Sequence, residues 1–106
     1  MKISILGTEY TIEKKVEQDV LLEDRAGYCD NTTKRIVTGF LKPEAGSTVD
    51  IEPEEKRLLR HEIIHGFMYE SGLDENSNWG TDEELVDWIA LQFPKILEVF
   101  KKVGCI

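Results

Sequence analysis

Apolar and polar residues alternate in the first part of the chain. Ile3, Ile5, Tyr10 and Ile12 fall on one side of a two-residue period around Gly7-Thr8, so residues 2 to 6 and 9 to 14 read as a hairpin with one apolar face. From 16 to 26 the pattern is ambiguous. Val16, Val20 and Leu21 sit at helical spacing, whereas Asp19, Glu23, Asp24 and Gly27 are turn formers. Tyr28 and Cys29 then lead into Asp30-Asn31-Thr32-Thr33, a cluster of turn residues. Lys34 to Phe40 follows, rich in β-branched side chains, and the two runs predict a second hairpin. Lys42 to Val49, with Pro43, Gly46 and Ser47, is expected to be a connecting loop.

After residue 50 the period changes. Leu58, Leu59, Ile63, Ile64, Phe67 and Met68 recur at three and four, Pro53 suits a first helical turn, and Ser71-Gly72 suits a stop. One helix is predicted from about Pro53 to Glu70. Leu73 to Gly80 reads as a polar loop. Thr81 and Glu84 have capping-box spacing and open a second helix, which Pro94 is expected to kink or divide before it continues from Lys95 to Gly104. Strands followed by helices predict an α+β fold.

The 106 residues, 41% of them hydrophobic, suit a single domain. Thirteen basic against twenty-one acidic residues leave a formal charge of -8, the wrong sign for a protein that gathers nucleic acid. No apolar run approaches a membrane span and the N-terminal stretch lacks the apolar core of a signal peptide, so a cytoplasmic protein without nucleic-acid or membrane partners is expected. Cys29 and Cys105, far apart and without partners at metal-ligand spacing, read as reduced thiols.

The chemistry-bearing motif is His61-Glu62-Ile63-Ile64-His65. Residues four apart on a helix lie about 6 Å from each other on one face, so both imidazoles can converge on one ion, with Glu62 beside them as proton acceptor. Chance placement of two histidines four apart, with a glutamate after the first, has a probability of roughly 0.0025 in this composition. Both of the chain's histidines are used here. Catalytic zinc takes three protein ligands, so the third must be a carboxylate, and the next helix offers Glu83, Glu84 and Asp87. Glu84 is the capping-box partner of Thr81. Glu83 lies on a stripe with Val86, Asp87, Ala90 and Leu97 that suits packing on the histidine helix, and it is the favoured ligand. Asp87 then falls where a carboxylate would accept the free N–H of a ligating imidazole. Trp79 and Trp88 read as core or rim packing.

A helix bearing HEIIH, followed by a helix opening EELVDWIA, resembles the gluzincin metallopeptidases, and among them the small ImmA/IrrE-like branch found in bacterial mobile elements and phages. That branch commonly shows a glutamate, Asn or Asp four residues on, then an apolar residue and alanine, which here fall on Glu83, Asp87, Ile89 and Ala90. The chain departs from the branch in starting directly with a hairpin and in having no fixed counterpart of the residue that steadies the oxyanion, for which Tyr28 and Tyr69 are the candidates. The resemblance implies a zincin-like minimal domain, a small twisted N-terminal sheet followed by an HExxH helix and a second helix supplying the glutamate ligand. It further implies a zinc metalloendopeptidase with metal ligands His61, His65 and Glu83 and catalytic Glu62. The substrate would be a peptide or protein, such as a transcriptional regulator, laid along the sheet edge beside Ile36 to Phe40. The alternative is a catalytically silent, zinc-containing module that grips a regulator such as a repressor, for which the acidic surface is suited.

Overall fold

The structure is a computed structural model describing residues 1–42 and 45–106; Pro43 and Glu44 of the expected loop lie outside the described residues. Strand β1 (Lys2–Ile5) turns through Leu6-Gly7 into β2 (Thr8–Val16). Both turn residues have positive φ, 49° and 89°, the backbone hand that matches the twist of a two-residue hairpin. The turn therefore sits one residue earlier than the Gly7-Thr8 expected, and Thr8 already pairs with Ile5. The ambiguous stretch resolves into a single 3-10 turn, Val20–Leu22, capped by Asp19, whose carboxylate accepts from the Leu21 N–H. Strands β3 (Gly27–Asp30) and β4 (Arg35–Gly39) form the second hairpin around Asp30, which accepts from the backbone N–H groups of Thr32 and Thr33.

The two hairpins join through their second strands. The sheet order is β1-β2-β4-β3, with β2 and β4 parallel and the outer pairs antiparallel, so β4 is interior and β3 is an edge. One face carries the core: Ile5, Tyr10, Ile12 and Ile36 are buried, with Ile3, Cys29, Leu59 and Ile63 against them.

Leu59 and Ile63 come from α1 (Ile51–Glu70), which lies across that face. The closest approach is at Gly66, where a Cβ would stand 2.8 Å from Ile5 Cδ1; glycine lets the helix settle between β1, β3 and β4. At its far end Glu70 accepts from Thr8 Oγ1 at 2.8 Å, Tyr10 OH at 2.7 Å and Lys34 Nζ at 2.9 Å, which holds the helix to both hairpins. A short turn α2 (Leu73–Asn76) follows Gly72, whose φ of 83° ends the run.

Helix α3 (Glu83–Val103) packs chiefly on α1, through buried Val86 and Ala90, so α1 lies between the sheet and α3. One expectation fails at this helix. Its N-cap is Asp82, accepting from the Leu85 N–H, and the Thr81–Glu84 capping box does not form. Of the two effects expected of Pro94, division is absent: the helix runs on to Val103, because Pro94 is exposed and the carbonyl it strands finds a donor outside the helix. The fold is α+β, as expected. No helix of the described residues is long and apolar enough to cross a membrane.

Candidate metal centre

His61 and His65 project from one face of α1 toward the first residue of α3. Their rings lie 4.8 Å apart, centroid to centroid, and the two Nε2 atoms are 3.1 Å from each other. Glu83 completes the group from α3, with Oε2 at 2.9 Å from His61 Nε2 and Oε1 at 2.9 Å from His65 Nε2. These are the three residues among those described whose ligand atoms gather closely enough to hold a metal ion. Glu84 is exposed and outside the group; Asp82 caps the helix and leaves Glu83 free to turn toward α1.

The donor set fits a cation. Nitrogen and oxygen ligands of tetrahedral zinc, at about 2.0 to 2.2 Å from the ion, stand about 3.3 Å from one another. The separations here fall short by a few tenths of an ångström. Asp87 Oδ1 lies 3.3 Å from His61 Nδ1, so that nitrogen donates to it and the Nε2 lone pair faces Glu83. A lone pair opposite a carboxylate oxygen at 2.9 Å is stable only with a proton or metal ion between them.

Asp87 is itself held by Arg57, whose Nη1 donates to the same Oδ1 and whose Nη2 donates to Glu54 Oε2 at 2.8 Å. The sequence reading anticipated Asp87 and missed Arg57. Its signal was present, since Arg57 stands one turn before His61, but an arginine on a helix face reads as ordinary surface charge until its partner on α3 is known.

Glu62 is 5% exposed and lines the groove beside the imidazoles. Burial pushes its carboxyl up to about 7, aided by the Glu83 charge and opposed by His61 and Arg25. Burial also depresses His65, against the pull of Glu83. Cys29 lies at the same wall with its thiol raised to about 12 by burial and by the charges of Glu62 and Asp30, so it stays protonated. Both cysteines are free.

The groove, of about 750 Å³, runs between β3 and the helices, with Gly27, Cys29, Arg25, Arg57 and Asp74 in its walls. This corrects the expected docking edge. Ile36 to Gly39 belong to β4, whose backbone is paired on both sides, whereas β3 keeps one edge free beside the metal group.

Of the oxyanion candidates, Tyr28 borders the groove but its hydroxyl is taken by Asp19. Cys29 faces α1, so Tyr28 points to the opposite side of the sheet, where its hydroxyl donates to Asp19 Oδ2 at 2.6 Å. Tyr69 lies beneath the Lys34 ammonium, 4.8 Å from its ring centre, and is not in the groove lining. Trp79 and Trp88 are both about half exposed, so neither belongs to the core. No family model, curated protein or solved structure matches the chain.

Proposed function

We propose that the protein is a zinc-dependent metallopeptidase of the gluzincin type, a minimal relative of the ImmA/IrrE-like branch. The observation that carries the reading is the convergence of His61, His65 and Glu83 within one groove that also holds a buried carboxyl, Glu62. The two imidazoles and the Glu83 carboxylate would hold the ion, and Asp87 would keep His61 in the tautomer that ligates. A zinc ion held by these residues would supply Lewis acidity toward the attacking water and the scissile carbonyl. Glu62, a buried carboxyl in the same groove, would accept the proton of the attacking water and deliver it to the departing amine. An extended peptide is aligned by pairing with the free edge of β3, Gly27 to Asp30.

A silent module that grips a regulator would need the ion without the base. Glu62→Gln separates the two readings, because an amide cannot accept the proton yet keeps the shape of the carboxyl. The purified variant is expected to hold about one zinc per chain, as the wild type does, and to lose proteolysis of a casein or regulator substrate by at least about 100-fold. A variant that keeps the wild-type biological effect would overturn the peptidase reading and favour the binder.

A further inference from the structure

A carbonyl inside an α-helix is ordinarily closed by the N–H four residues on, and is not offered to a neighbouring helix. Ala90 is an exception. The residue four beyond it is Pro94, which has no N–H, and the Ala90 oxygen instead accepts a bond of 2.6 Å from Arg60 Nε on α1. Ala90 is fully buried, so without Arg60 this acceptor would be left stranded against α1. One turn earlier along each helix, Arg57 holds Asp87. Two arginines one turn apart on α1 thus grip α3 at two points one turn apart, directly beyond Glu83.

We infer that Arg60 and Pro94 form a latch that sets the axial position of α3 on α1 and thereby holds Glu83 against His61 and His65. The inference rests on the metal-site reading above. Glu83 is the first residue of α3 and its side chain is 70% exposed, so packing around it does little to fix its place. A slip of α3 by a single residue would move Glu83 about 1.5 Å along the axis and turn it by about 100°. The apolar contacts of Val86 and Ala90 resist lateral displacement but have no direction along the helix. A hydrogen bond to one carbonyl does. Arg60 is accordingly a positioning residue that touches none of the ligands, and Pro94 is the residue that makes its acceptor available.

The test uses Co2+ as probe on the full chain, with Arg60→Met, Pro94→Ala and the double variant. Affinity is read by chelator competition, coordination by the visible spectrum, and folding by thermal melts of the metal-free protein. Arg60→Met is expected to weaken Co2+ by roughly 10 to 100-fold and to alter the spectrum. Pro94→Ala is the sharper variant. Its restored N–H competes with Arg60 for the Ala90 oxygen, so the melting temperature should rise while Co2+ affinity falls severalfold, a pair of opposite signs that simple stabilisation does not produce. The melting penalty of Arg60→Met should also shrink in the Pro94→Ala background, where the carbonyl is no longer stranded. Unchanged affinity and spectrum in both single variants would overturn the latch, as would an equal melting penalty in both backgrounds. Failure of the wild type to bind Co2+ would instead overturn the metal-site reading, with the coupling in the melts still deciding the latch. Should Arg60→Met not fold, Pro94→Ala alone decides by its Co2+ affinity.

Discussion

At the scale of single residues, the site divides three neighbouring carboxylates of α3 into different roles by their direction alone. Glu83 meets both imidazoles, Asp87 meets His61 Nδ1 and Arg57, and Glu84, between them in sequence, is exposed. The reason is rotational, since successive helical residues are about 100° apart. Alanine at each position should therefore differ in kind. Glu83→Ala is expected to lose zinc, Asp87→Ala to weaken it by roughly 10 to 100-fold, and Glu84→Ala to leave both affinity and melting near the wild type. The cap of α3 is Asp82, whose alanine variant should cost about 1 kcal/mol. Chelator competition beside thermal melts checks the series, and near-normal zinc affinity in Glu83→Ala would move the third ligand elsewhere.

At the scale of elements, α1 does two jobs along its length. Its middle carries the histidines, while its last residue, Glu70, binds the second strand of the first hairpin and the start of the second hairpin's return. The bonds from Tyr10, Lys34 and Thr8 hold the Glu70 carboxyl down, from the usual 4.5 to about 2. A carboxyl depressed by folding contributes stability that is complete above its unfolded pKa and is lost as the pH falls through the folded value. Glu70→Gln should therefore melt below the wild type at pH 6, and the gap should narrow as the pH falls from about 4.5 to about 2. A gap independent of pH over that range would show that the carboxylate charge is not what binds α1 to the hairpins. This network was hidden in the sequence, where Thr8 and Glu70 stand 62 positions apart with Tyr10 and Lys34 between them, and each reads as an ordinary strand or surface residue.

At the scale of the whole molecule, α3 is the outermost layer, and its hold on the remainder passes chiefly through α1. A metal ion shared by His61, His65 and Glu83 would cross-link these two helices, so metal and fold stability should be linked. Free zinc at about 100 times its dissociation constant is worth about 2.7 kcal/mol, which for a domain of this size is a rise of roughly 10 to 20 °C in melting temperature. Removal with a chelator should reverse it, and the rise should vanish in His65→Ala. Equal melting with and without zinc in the wild type would show that the ion does not bind across the two helices.

What the sequence determined by itself is whatever depends on near neighbours. Period-two alternation placed the first hairpin, a turn cluster beside β-branched residues the second, period-three-and-four recurrence the histidine helix, and four-residue spacing on that helix put His61 and His65 on one face beside Glu62. Each of these follows from the local geometry of the backbone. The tertiary structure alone decided which strand is an edge, since hydrogen-bond pairing between distant segments leaves no mark on local periodicity. It also set the Tyr28 hydroxyl against Asp19 and brought Arg57 and Arg60 onto α3. Those outcomes depend on how one element is rotated and shifted against another, through packing at Gly66, Val86 and Ala90 together with the bonds of Arg57 and Arg60, rather than on any residue's own propensity.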